Sequence, residues 1–174
     1  MQRFSNLQLG HQLCFALYSA TNAVLRAYRR RLASVGLTYT QYLVLLALWE
    51  EDGIPLKTLA SRLGLDSASL TPVIKRLEKL GLLRRDRSEV DERRICIVLT
   101  ESGQSLQESV ADIQSSVEQQ TGLQARDLVG LRSNLEDLTA TMLASETEER
   151  HDATETEGDT MAPTSSSPPS PMPS

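Results

Sequence analysis

Cysteine and histidine are scarce in this sequence, with two of each among 174 residues. Cys14 and Cys96 make no disulfide framework and have no metal-ligand spacing. His11 and His151 are too few for a zinc site, so neither a structural metal nor a cofactor is expected. Long apolar runs are missing as well. No stretch approaches the roughly 18 uninterrupted apolar residues of a membrane span, and no basic segment followed by an apolar run opens the chain. A cytoplasmic protein with no membrane partner is the expectation.

Basic charge is in deficit overall, with a formal net charge of −5. Spread evenly, that would argue against nucleic acid, but the distribution is uneven. Residues 1–53 hold five basic and three acidic groups, residues 54–103 ten and seven, and residues 104–174 three and thirteen. Binding to phosphate depends on the field within about a Debye length, ~8 Å at physiological salt, so acidic groups elsewhere do not forbid a basic face.

Proline is rare until the end, where 163-PTSSSPPSPMPS-174 holds five of the seven. The preceding 146-ETEERHDATETEGD-159 is acidic and almost without large apolar groups. Such a composition buries too little apolar surface to offset its conformational entropy. Residues 145–174 therefore read as a disordered tail, acidic and then Pro/Ser-rich, behind one folded domain over 1–144.

Within that domain the pattern is largely helical. Apolar residues recur at helical spacing from Leu7 to Leu32, which reads as one long first helix closed by Gly36. Thr38 or Thr40 is placed to cap a second helix over 41-QYLVLLALWE-50, ending at the turn 52-DG-53. A third, 56-LKTLASRLG-64, carries Leu56, Leu59, Ala60 and Leu63 on one face. A fourth, within 67-SASLTPVIKRLEKLG-81, has a stripe of Leu70, Val73, Ile74, Leu77 and Leu80. Pro72 leaves its start open: either the helix begins near Ser69 or an early hydrogen bond is missing. The segments 82-LLRRDR-87 and 94-RICIVL-99 read as two strands around the charged loop 88-SEVDER-93. Two further helices follow over 104–120 and 125–143.

Two short helices joined by a tight glycine-containing connection and followed by a charged hairpin make a winged helix-turn-helix pattern. The fold class is mainly α with a small β-hairpin wing, and residues 54–103 form the DNA-reading part. On the fourth helix, Ser67, Ser69, Thr71, Pro72, Lys75 and Arg76 face away from the stripe. Short hydroxyl side chains allow close approach to base edges, while Lys and Arg pair with phosphates or guanine. The hairpin adds Arg85, Arg93 and Arg94, with Asp91 placed to hold Arg93 for entry into a minor groove, where the negative potential is concentrated.

The run 66-DSASLTPVIKRLEKLGLLRRDRSEVDERRICIVLTESG-103 resembles the recognition helix and wing of the MarR family of bacterial transcriptional regulators. With 13-LCFALYSA-20 and 38-TYTQYLVLLALWE-50 the resemblance narrows to the organic-hydroperoxide sensors, the OhrR subgroup, over about residues 8–143. It implies an intertwined homodimer, with dimerisation helices over 7–32 and 104–144, bound to a pseudo-palindromic double-stranded operator. It also implies a repressor that releases DNA when an organic hydroperoxide, the inducer, oxidises Cys14. Tyr28 and Tyr39 match tyrosines that in similar proteins reach the sensing thiol from the partner subunit.

The thiolate is the species that attacks peroxide, and apolar neighbours such as Leu13, Phe15 and Leu17 suit an organic hydroperoxide. Cys96 lies in the second wing strand, where it reads as an ordinary buried side chain. It does not match the late-helix resolving cysteine of two-cysteine members, so the oxidised Cys14 is expected either to form a mixed disulfide with a low-molecular-weight thiol or to be oxidised further, rather than to close an intersubunit disulfide. Two other readings stand beside this one: a MarR-type repressor released by a small aromatic ligand, and a thiol peroxidase. The reader module and the missing second redox cysteine speak against an enzyme.

Overall fold

The structure is a computed structural model that describes residues 4–87 and 95–158, with side chains to 145. The chain divides into two compact units, Met1–Gly122 and Leu123–Ser174.

The first unit opens with two short 3-10 turns, Ser5–Leu7 and Leu9–His11, and α1 runs only from Leu13 to Leu32. The single helix expected from Leu7 is thus interrupted, because Gln8 and Gln12 adopt extended backbone on either side of the second turn. The Gln12 side chain instead donates to the Asn6 carbonyl.

Helix α2, Tyr39–Glu50, is capped by Thr38, and the cap is reciprocal. The Gln41 N–H donates to Thr38 Oγ1 at 3.3 Å, and the Thr38 N–H donates to Gln41 Oε1 at 2.8 Å. Both ends of this four-residue box satisfy donors that a helix start leaves bare. Its core face buries Tyr42, Val44, Leu45 and Leu48.

After the turn at Asp52 comes a short strand that the sequence pattern did not reveal, β1, Ile54–Pro55. Asp52 Oδ1 accepts from the Gly53 and Leu99 N–H groups, both at 2.9 Å, fastening this turn to the wing. Helix α3, Leu56–Arg62, and helix α4, Ser67–Lys79, follow. Asp66 caps α4, accepting from the Ser69 N–H at 2.7 Å. The helix therefore starts at Ser67 and Pro72 lies inside it, so the Ala68 carbonyl loses its usual partner at an exposed position.

Strands β2, Leu83–Arg87, and β3, Ile95–Leu99, pair antiparallel, and β1 adds to the far side of β3 in the order β1-β3-β2. Helix α5, Glu101–Thr121, is capped by Thr100, whose Oγ1 accepts from the Gly103 N–H at 3.1 Å. One core joins these parts: Leu32, Leu37, Leu45, Leu48, Leu59, Leu70, Ile74, Leu77, Leu83 and Ile97 are all buried in it.

The second unit is α6, Ala125–Gly158. Its helix continues past 144, so residues 145–158, expected to belong to an irregular tail, are helical. Leu128, Leu131, Leu135 and Leu143 line a shallow apolar groove along it. No single helix among the described residues is long and apolar enough to cross a membrane.

Candidate functional site

The stripe of α4 decides what its other face can do. Leu70, Ile74 and Leu77 are buried and Val73 is half-buried, while Leu80 at the helix end is exposed. Ser67, Ser69, Pro72, Lys75 and Arg76 are consequently solvent-facing, and Thr71 is half-buried. Two of these hydroxyls already have local partners. Ser69 donates to Asp66 Oδ2 and Thr71 to the Ser67 carbonyl, both at 2.7 Å, which leaves their oxygens free to accept. Neither Lys75 nor Arg76 forms an ion pair with a described residue.

On β2, Arg85 reaches back to Glu78 of α4 at 3.5 Å, and Arg84 pairs with Asp86 at 2.7 Å. These exposed pairs are worth little in water, so a phosphate can displace the carboxylate without a large loss. Asp91, Arg93 and Arg94 lie outside the described residues. The basic face that is described thus runs from the exposed side of α4 onto the base of the wing.

Cys14 stands in the first turn of α1 and is exposed. So are Leu13, Phe15, Tyr18 and Val24; within one chain, burial on α1 begins only at Ala27. Cys96 is buried in β3, opposite Asp86 on one side and Pro55 on the other.

At the other end of α1, Tyr28 meets α2. Its ring centroid lies 5.2 Å from that of Tyr39 and 5.3 Å from that of Tyr42, and Tyr39 and Tyr42 are 5.8 Å apart. Burial holds the proton on all three phenols, raising each above the usual tyrosine range. They are therefore hydrogen-bond donors across the whole physiological pH range.

Tyr28 and Tyr39 lie together, and neither comes near the Cys14 of its own chain. Fourteen helical steps separate Cys14 from Tyr28, about 21 Å along the axis at 1.5 Å per residue. Tyr42 completes the cluster, and pattern reading missed it because it sits in an apolar run where an aromatic residue reads as core.

Residues 26–110 match the family model described as transcriptional regulator SarA/Rot. The chain is 48% identical over 127 residues to the HTH-type transcriptional regulator TtmR of Methylorubrum extorquens, a match covering 73% of this chain and 65% of that one, just under two thirds of its length. It is 40% identical over 140 residues to the organic hydroperoxide resistance transcriptional regulator of Bacillus subtilis, covering 80% of this chain and 95% of that one. Among solved structures, reduced AbfR bound to DNA superposes with a TM-score of 0.65 at 37% identity, covering 78% and 94% of the two chains. A disulfide form of AbfR gives 0.58 at 36% identity, covering 80% and 92%. A winged sheet behind a capped, basic-faced helix and a relative 40% identical that is matched over 95% of its length lead to one placement: the chain belongs to the MarR/SarA family of winged-helix transcriptional regulators.

Proposed function

We propose that the protein is a homodimeric, DNA-binding repressor that senses organic hydroperoxides through Cys14 and then releases its operator. The observation that carries this is the separation of the thiol from its donors. An exposed cysteine in an uncovered apolar half-helix and a cluster of protonated phenols at the far end of the same helix are complementary halves of one site when a second copy lies antiparallel. The same second copy covers exposed apolar surface that a monomer would leave in water, including the groove on α6. The likeness to the organic hydroperoxide resistance regulator and to AbfR, solved in reduced and disulfide forms, supports the redox reading.

In the reduced dimer, α4 of each subunit enters a major groove. Ser67, Ser69 and Thr71 approach base edges, and Lys75, Arg76 and Arg85 meet phosphates. The wing residues Asp91, Arg93 and Arg94 are assigned to the flanking minor groove. Two-fold symmetry puts the half-sites about one helical turn apart, roughly 10 base pairs.

For the switch, the Cys14 thiolate attacks one peroxide oxygen. An S–O bond forms and the O–O bond breaks; the departing alkoxide takes a proton and leaves as the alcohol, so sulfur is oxidised to the sulfenic acid and the peroxide is reduced. A low-molecular-weight thiol then displaces water to give a mixed disulfide. The modified sulfur is larger and no longer an anion, so the tyrosine hydroxyls of the partner lose their acceptor. Coupling of about 3 kcal/mol between that contact and the DNA-bound geometry weakens binding roughly a hundredfold.

The test is binding of the reduced full-length protein to DNA from its own upstream region, repeated after stoichiometric hydroperoxide. Tight binding followed by release supports the reading. Binding that ignores hydroperoxide refutes the sensor and leaves a regulator of another signal.

A further inference from the structure

Strand β1 is two residues long, and one of them, Pro55, has no N–H to give. It nevertheless ties the wing to the helices of the DNA-reading domain, because it pairs with β3 and runs directly into α3. A side chain makes up the deficit. Ile54 pairs with Ile97 and Pro55 with Cys96. Before Ile54 the chain is still in the turn, and there the Leu99 N–H of β3 donates to Asp52 Oδ1 at 2.9 Å. The same oxygen accepts from the Gly53 N–H at 2.9 Å, and that N–H also donates to the Ile97 carbonyl at 3.1 Å.

We infer that Asp52 is a positioning residue for the reading of operator flanks: its carboxylate replaces a missing rung between β1 and β3, sets the angle at which the wing leaves the domain, and so delivers Arg93 to the flanking minor groove. The inference rests on the assignment of the wing to that groove and deepens it.

The other forces on the wing leave this angle open. The β2–β3 register, from Leu83 opposite Leu99 to Arg87 opposite Ile95, fixes the two strands to each other and not to the helices. Burial of Leu83, Ile97 and Leu99 holds the base of the hairpin in the core, but apolar contact is non-directional and permits tilt. A hydrogen bond is directional, and the one to Asp52 sits at the last residue of β3, where leverage is greatest. From Leu99 to Ile95 the strand runs about 13 Å at 3.3 Å per residue, so a tilt of about 10° at the base carries Ile95 about 2 Å and the loop beyond it further. Contacts in a groove tolerate less, since hydrogen-bond lengths span only roughly 2.7–3.2 Å. Asp52 is exposed, yet a carboxylate is repelled by phosphate, so its effect on DNA passes through the wing rather than through a contact of its own.

The experiment uses the full-length reduced protein and duplexes from its own upstream region, with the flanks made A·T-rich, made G·C-rich or trimmed away. Wild type, Asp52→Asn, Asp52→Ala, Arg93→Ala and the Asp52→Ala, Arg93→Ala double variant are titrated, with thermal melting recorded alongside. Asparagine keeps the Oδ1 acceptor and removes the charge, so Asp52→Asn should keep the wild-type preference for A·T flanks. Asp52→Ala should reduce that preference roughly two- to tenfold, the equivalent of one hydrogen bond. Its affinity for the trimmed duplex should be unchanged, which a general loss of structure would not allow. In the double variant the preference should be no lower than in Arg93→Ala alone. If Asp52→Ala melts below the binding temperature, Asp52→Ser, whose shorter side chain does not reach Leu99, takes its place with the same expectation. A wild-type flank preference in Asp52→Ala, its loss in Asp52→Asn, or independent effects in the double variant would each overturn the positioning role while leaving the wing assignment intact. A wild type indifferent to its flanks, or an Arg93→Ala variant that keeps the full preference, would instead strike the wing assignment, and the inference with it.

Discussion

A Cβ on Gly103 would stand 2.0 Å from the carbonyl oxygen of Leu82, so the start of α5 lies directly against the backbone at the base of the wing. The Gly103 carbonyl accepts from Trp49 Nε1 of α2 at 3.1 Å, and its N–H donates to the Thr100 cap. Three parts of the reading head are thereby locked at one residue without a side chain.

Gly103→Ala should therefore destabilise the fold by about 1–3 kcal/mol, at the upper end because the obstructing atom is backbone. Gly130 on α6 has open space around it, and Gly130→Ala should be neutral or stabilising by up to about 1 kcal/mol. Thermal melting of the two variants checks the contrast. Equal melting temperatures would mean that the α5 start is free to move.

Lys75→Ala and Arg76→Ala should each lower the slope of log affinity against log salt by about 1, with affinity falling on all sequences alike. Arg93→Ala should weaken binding mainly at A·T-rich flanks. Salt titrations of operator binding with varied flanks measure both, and unchanged slopes in all three variants would remove the assigned face.

Asp66 accepts two hydrogen bonds from Ser69, and these hold its carboxyl below the usual carboxylate range. A group whose folded value is lowered contributes stability above its unfolded value and loses it as pH falls through the folded one. Wild type should thus lose stability in the acid limb faster than Asp66→Asn, which still caps but does not titrate there. Denaturation midpoints from pH 6 downward would show it; parallel acid limbs would count against the cap.

Much of this head was legible in the residues. A threonine cap for α2, at Thr38 or Thr40, the stripe of α4 and the hairpin follow from spacing and β-branching. What escaped were features with no periodic signal. The two-residue strand Ile54–Pro55 is too short to alternate, and the break before Leu13 depends on the backbone at Gln8 and Gln12 rather than on a breaker at the helix start. Tertiary packing overrides propensity at Pro72, where Leu70 and Ile74 hold the helix together across the missing bond. Tyr42 looked like one more apolar position because its partner, Tyr28, comes from another helix. The helix beyond 144 ran against composition alone.

Removing residues 146–174 takes away seven acidic groups and one basic group. It should leave the dimer intact and reduced-state affinity unchanged or slightly higher at low salt. Sedimentation and operator titration of the truncated chain check this, and a truncated chain that is monomeric would show that the last turns of α6 belong to the interface.

The most direct measurement compares operator affinity before and after stoichiometric organic hydroperoxide in wild type, Cys14→Ser and Cys96→Ser, with the mass of each cysteine peptide recorded in parallel. Wild type and Cys96→Ser should lose affinity roughly a hundredfold as Cys14 gains mass, and Cys14→Ser should bind like reduced wild type and stay bound. Release of Cys14→Ser on oxidation, or oxygen found on Cys96 while Cys14 stays reduced, would contradict the account.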